Sequence, residues 1–188
     1  MPQILRTFRE SYPQVELDAQ EDATDALFRA VRSERVDVAF VRAPAASFSP
    51  LCSLTICEEP VVVALPRGHR LSDSSAPLPL AALAEEGFVL YRSVDGPGVM
   101  ELLLAACLGA GFHPRAVATV PRLLSAAALV AAGRGVTLLP LALQTLHQES
   151  VVYRPLSHPS AFTIPLTLIW RAAPAGSPLA RFVASLGE

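Results

Sequence analysis

The sequence predicts an α/β fold built as two lobes with a cleft between them, and three observations predict it. Helix-like and strand-like stretches alternate along the chain, which implies a largely parallel sheet with right-handed crossovers. The composition shifts near Ala64 and a late strand-like run lies near Leu166, so the chain leaves one lobe and returns to it. The third observation is the stretch from Leu129 to Pro140. There a small-residue helix stops at Gly133, Gly135 makes a tight turn, and the apolar run 136–139 is closed by Pro140. Gly133-Arg134-Gly135 could cradle a phosphate only if it ran from strand to helix and carried more glycines. It runs from helix to strand, so the turn is structural.

The elements follow in order. Residues 2–12 put Ile4, Leu5, Phe8 and Tyr12 on one helical face and Arg6, Arg9 and Glu10 on the other. Pro13 ends that helix. Val15, Leu17 and Ala19 then alternate with Glu16, Asp18 and Gln20, the period of a half-buried strand. Asp22, Thr24 and Asp25 crowd the start of a helix over 23–33 that turns Leu27, Phe28 and Val31 inward. Residues 36–41 form the next strand. A loop rich in Ala, Ser and Pro over 42–50 leads to a strand over 59–65, ended by the turn Pro66-Arg67-Gly68-His69.

Pro79 suits the first turn of a short helix over 80–84. A strand over 88–91 and a Gly/Pro loop over 93–98 precede a helix over 99–110 that buries Leu103, Leu104, Cys107 and Leu108. Residues 116–120 are a strand feeding the helix 121–132. After Pro140 come a helix to about Gln148, a strand over 151–154 and a strand over 166–170. Ser177-Pro178 caps a last helix with Leu179, Phe182, Val183 and Leu186 apolar.

Composition narrows the function. With 188 residues, 52% of them hydrophobic and 17% charged, the chain buries a good core and is not disordered. A net charge of -2 gives no basic footprint for nucleic acid. No apolar run is long enough to span a bilayer and no signal peptide opens the chain, so no membrane partner is expected. Cys52, Cys57 and Cys107 are odd in number and irregularly spaced, which favours reduced, mostly buried thiols in a cytoplasmic protein.

Nothing in the sequence argues for catalysis. There is no Gly-x-Ser-x-Gly elbow, and Cys57 lies in a strand-like run. His69, His113, His147 and His158 neighbour loop residues at no metal-ligand spacing and read as surface histidines. Glu58-Glu59 precedes a strand and reads as a solvated pair rather than a catalytic one. No cofactor or metal is implied. Binding features are better: Thr24 stands at one helix start and Gly96-Pro97-Gly98 at another. Helix N-termini hold carboxylates through free N–H groups and the positive dipole end. Arg42, just after a strand, adds charge-assisted bonds. An enzyme of this architecture would need a charged catalytic pair, for which the loops offer only Arg42, Asp95 and Ser93. A solute-binding protein would carry a signal peptide or lipid anchor.

Four passages, in order, resemble the effector-binding domain of LysR-type transcriptional regulators. They cover residues 5–17 (LRTFRESYPQVEL), 36–42 (VDVAFVR), 58–69 (EEPVVVALPRGH) and 129–140 (LVAAGRGVTLLP). The resemblance implies a two-lobed fold of the type II periplasmic-binding-protein class, with residues 1–61 and 164–188 in lobe I and residues 62–163 in lobe II. The run Val152-Tyr153-Arg154-Pro155-Leu156 and the loop Pro97-Gly98-Val99 look most like regulators of aromatic-compound catabolism, which respond to benzoate- or muconate-like carboxylates. By that likeness the ligand site comprises Thr24, Arg42, Ser93, Pro97, Gly98 and Val99, and the domain senses a small carboxylate without catalysis. Signal passes through lobe closure or dimer geometry to DNA-binding parts, a helix-turn-helix that is absent from residues 1–188.

Two departures carry expectations. The family's domain opens with a strand before its first helix, lying between the strands that match residues 15–20 and 36–41; here the helix comes first. Open backbone edges are costly, so another chain, a rearranged pairing of those two strands, or association into a homodimer or higher oligomer should complete them. Glu34 stands where the family has a helix-ending glycine, so a left-handed Glu34 costs about 1 kcal/mol relative to Gly.

Overall fold

A computed structural model describes residues 2–91, 98–157 and 162–186. The chain opens with helix α1 (Pro2–Ser11), helix α2 (Thr24–Arg32), strand β1 (Val38–Val41) and the long strand β2 (Cys52–Pro66). It continues through β3 (Gly87–Tyr91), α3 (Val99–Gly109), β4 (Arg115–Val120), α4 (Leu123–Ala131), β5 (Thr137–Pro140) and β6 (Val151–Pro155). It returns along β7 (Thr163–Trp170) and ends in α5 (Pro178–Ala184).

The large sheet has the order β1-β7-β2-β5, with β6 also on β2, and every pairing in it is antiparallel. Among the described strands β3 and β4 pair in parallel, extended by a bridge from Phe88 to Val136, and a second parallel bridge joins Leu78 to Leu156. The expectation of a largely parallel sheet is therefore corrected. Its cause is the length of β2 and β7, which run side by side in opposite directions and serve as the template for their neighbours. β2 changes partner between Pro60 and Val61: residues up to Pro60 pair with β7, and those from Val61 pair with β5 and β6. One lobe is built around each half of β2.

The apolar pattern explains the layers. On the first lobe's sheet, Phe8 of α1 and Phe182 of α5 meet edge-on at 5.0 Å beneath Leu168, while Val31 of α2 and Phe48 cover Val41 and Ile169 on the other face. The second lobe's core joins Val63 and Leu65 of β2 to Phe88, Leu103, Val130 and Leu138. Ser177 caps α5, its Oγ accepting from the Ala180 N–H at 3.2 Å. The Gly133 and Gly135 turn is as read from the sequence: both glycines have positive φ, and a Cβ on Gly135 would lie 2.3 Å from the Gly87 carbonyl oxygen. Glu34 is left-handed, with φ of 63°.

Several expectations are overturned. Residues 15–20 are irregular rather than a strand, because no backbone edge pairs with them. β1 is bonded to β7 alone, and a cavity separates its outer edge from residues 15–20. The rearranged pairing does not form among the described residues. The helix expected from Pro140 to about Gln148 is instead a short 3-10 turn, Leu141–Leu143, that gives way to turns. His147 takes a positive φ there, and the Gln148 and Glu149 carbonyls accept from the Arg67 guanidinium. Leu108 is 50% exposed, since α3 is apolar at every position but Glu101 yet buries only the face of Val99, Met100, Leu103 and Cys107. Cys107 is buried, but Cys52 is half-buried and Cys57 exposed. His69 is not a free surface histidine; its Nε2 lies 3.1 Å from Glu86 Oε2.

Candidate ligand-binding cleft

A cavity of about 1400 Å³ opens between the lobes and continues to the free edge of β1. Its walls come from the loop ahead of α2, the end of β1, the end of β3 and the starts of α3 and α4. Thr24, Arg42, Gly98 and Val99, four of the residues singled out from sequence, all line it. Ser93, Asp95, Gly96 and Pro97 lie outside the described residues.

The helix starts differ in how their N–H groups are used. At α2 the N-cap position is Ala23, with no side-chain cap, and Thr24 is the first helical residue. The oxygen-rich start read from the sequence does not cap the helix: Asp22 Oδ1 accepts from the Ala23 N–H at 2.8 Å, one residue too early. The positive dipole end of α2 therefore meets the cavity without a side-chain cap, in a first turn that also holds the buried Asp25, paired with Arg29 at 3.0 Å. At α3 the Glu101 carboxylate reaches back to accept from the Gly98 N–H at 3.1 Å, taking up part of that helix's capacity.

Arg42 follows β1, and its Nε and Nη2 both donate to Glu59 Oε2, at 2.9 and 2.8 Å. Glu58-Glu59 does not precede the strand but sits inside β2: Glu59 is half-buried and holds Arg42, whereas Glu58 is exposed, as expected, and accepts from the Thr163 hydroxyl at 2.7 Å. The Arg42–Glu59 pair fixes the guanidinium in the cavity wall. Tyr91, at the end of β3 in the second lobe, also lines the cavity, with its hydroxyl donating to the Leu138 carbonyl at 2.8 Å. Burial pushes its phenol well above the ordinary value, against a smaller lowering by the Arg42 charge, so it remains a neutral donor.

The opposite wall carries Arg122, the extended residue just before α4. Its Nη1 lies 4.0 Å from Glu21 Oε1 and its Nη2 4.0 Å from Asp22 Oδ1, so these ion pairs bridge the mouth of the cleft from lobe to lobe. Sequence reading passed over Arg122 because it placed residues 121–132 in one helix. The extended backbone at Arg122 turns that side chain toward the cleft instead. Glu59 and Tyr91 were also missed, and only the tertiary pairing of β2 with β7 brings Glu59 to Arg42. Seven carboxylates and four guanidiniums line the whole cavity, so an anion depends on the cations placed locally.

The family model for the LysR substrate binding domain matches residues 1–188. The chain belongs to this family. Among LysR-type relatives it is 31% identical over 180 residues to the HTH-type transcriptional regulator BudR of Raoultella terrigena, covering 96% of this chain and 61% of BudR. It is 34% identical over 157 residues to the HTH-type transcriptional regulator CatR of Pseudomonas putida, covering 81% of this chain and 52% of CatR. The chain thus spans about half to three-fifths of the length of these curated relatives, which are transcriptional regulators and not enzymes.

The fold agrees. The BenM effector-binding domain with its effector benzoate superposes with a TM-score of 0.82 at 24% identity, covering 100% of this chain and 84% of that one. Full-length CbnR complexed with target DNA gives a TM-score of 0.84 at 21% identity, covering 99% of this chain and 64% of that one. The two-lobed, type II periplasmic-binding-like architecture expected from the sequence is the one observed. Among the described residues no helix is long and apolar enough to cross a membrane.

Proposed function

We propose that the interlobe cleft of this LysR-type effector-binding domain takes a small organic carboxylate. In this reading residues 1–61 with 164–188 form lobe I and residues 62–163 form lobe II. Thr24 at the start of α2, Gly98 and Val99 at the start of α3, and Arg42 surround the carboxylate, with Ser93 and Pro97 of the connecting loop completing the site. The observation that carries it is the convergence of an uncapped helix N-terminus and an oriented guanidinium on one cavity. The helix end supplies N–H donors and Arg42 supplies a cation, a combination that suits a carboxylate.

Ligand binding across the cleft favours one arrangement of the lobes, and that preference passes to DNA-binding parts outside this chain. The protein acts in the cytoplasm as a homodimer or higher oligomer. The unpaired edge of β1 and the exposed Leu108 of α3 support association, since both are surfaces a monomer leaves uncovered. The benzoate carried by the BenM domain supports an aromatic or dienoic acid.

Thermal unfolding with benzoate, cis,cis-muconate and related acids tests the assignment. A ligand at a hundredfold its dissociation constant adds about 2.7 kcal/mol of stability, which a melting curve resolves. The expected result is a rise in melting temperature with at least one acid, reduced in T24V and R42Q. A folded protein that shows no shift with any acid, or a normal response in both variants, overturns the site.

A further inference from the structure

We infer that Arg122 is the second lobe's contact for the cleft anion, and that Glu21 and Asp22 hold it in reserve while the cleft is empty. This inference rests on the carboxylate reading above and names the residue that couples ligand to lobe position. Four arginines line the cavity, and they are not equivalent. Arg171 is taken up by the Val31 and Val36 carbonyls beyond β1. Arg35 donates to Ser33 Oγ at 3.2 Å, at the far end of α2 from the anion-binding end. Arg42 already shares a half-buried ion pair with Glu59 at hydrogen-bond distance. Arg122 alone among these belongs to the second lobe.

Its present partners are weak ones. Both contacts measure 4.0 Å, beyond hydrogen-bond length, and Arg122, Glu21 and Asp22 are 49%, 71% and 57% exposed at their side chains. Exposed pairs of this kind contribute little and are screened by salt. Asp22 already spends Oδ1 on the Ala23 N–H, so it does not need Arg122 for its own hydrogen bonding. A carboxylate at the start of α2 lies two residues beyond Asp22. It would offer Arg122 a fully charged, bidentate partner inside the cleft in place of two distant ones at its rim. Since Arg122 is fixed to α4 and Thr24 to α2, the new bond spans the lobes through the ligand. The arrangement also resolves the acidic lining: the cation released from two carboxylates is delivered to the third, which is the ligand's.

The roles of the two sides are separable by experiment. Benzoate and cis,cis-muconate binding to the intact chain is measured by titration calorimetry for the wild type, R122Q, R122K and the double variant E21Q/D22N, with circular dichroism confirming that each is folded. R122Q should weaken binding by about 10- to 100-fold, the worth of a hydrogen bond to a charged group. R122K should recover part of it, because it keeps the charge and loses the fork. E21Q/D22N should tighten binding several-fold by removing the competitors for Arg122. A plain structural latch would instead make both R122Q and E21Q/D22N move affinity in the same direction, and that result overturns the inference, as does R122Q binding within twofold of the wild type. Failure of the wild type to bind either acid overturns the carboxylate reading itself and the inference with it.

Discussion

Gly135 shows how one missing methyl group sets the geometry of a lobe. Val136 bonds to Gly87 and Val89 through its N–H and C=O, at 2.8 Å each, which locks the start of β5 beside β3. That approach exists because nothing stands between Gly135 and the Gly87 carbonyl. G135A places a Cβ 2.3 Å from that oxygen at a φ of 154°, so the strands must part. We expect a loss of about 2–4 kcal/mol in urea unfolding. G133A, with open space around it and a φ of 75°, should cost about 1 kcal/mol, from backbone conformation alone. Cys107 gives a second test at this scale. Burial pushes its thiol from about 9 up to about 11, favouring the neutral form in the folded state. Its contribution is therefore complete below pH 9 and is lost as pH rises toward 11. Unfolding measured across that window should show a fall of up to about 2–3 kcal/mol that C107A lacks.

At the scale of elements, the helix ends decide both stability and binding. The α2 helix closes through Glu34 N–H to the Val31 carbonyl and Arg35 N–H to the Ala30 carbonyl, at 3.3 and 3.0 Å, which needs the left-handed turn at Glu34. E34G removes the Cβ penalty there. It also removes an ion pair to Arg171 at 3.9 Å, which is exposed on the Glu34 side and worth little. The net expectation is a gain of about 0.5–1 kcal/mol, read as a melting temperature higher by roughly 1–4 °C for a chain of this size. Legibility also divides at this scale. Capped, periodic elements such as α1 and α5 were readable because their signals are local: Phe8, Phe182 and Ser177 mean the same thing in any tertiary setting. Residues 15–20 alternate as a strand should and yet are not one, because alternation states only that a segment could pair. Whether an edge is there to meet it is decided by the rest of the sheet. The 15-residue length of β2 is hidden for a related reason, since two adjacent glutamates read as a strand entry until Arg42 and Thr163 arrive from elsewhere in the chain.

For the whole molecule, the cleft belongs to both lobes and so registers their separation. Thr24 and Arg42 stand on one side and Gly98, Val99 and Arg122 on the other. A ligand that satisfies both sides should bring them nearer, and small-angle scattering with saturating ligand should record a smaller radius of gyration than the empty protein. An unchanged radius would separate binding from lobe movement. Sequence could supply the helix starts and Arg42, since caps, glycines and charges are visible in a string of letters. It could not supply the partners of Arg42 or the outward turn of Arg122, which depend on how the lobes face each other.

The partner change in β2 has one further consequence. Pro60 is the last β2 residue paired to β7, opposite Thr163, and Pro165 of β7 lies opposite Glu58. Neither proline has an N–H to donate, so a strand seeking to extend the sheet finds no donor at either position. The crossing between the lobes is thereby kept to two strands whose φ angles are fixed at two nearby points, and the cleft opens beside that narrow passage.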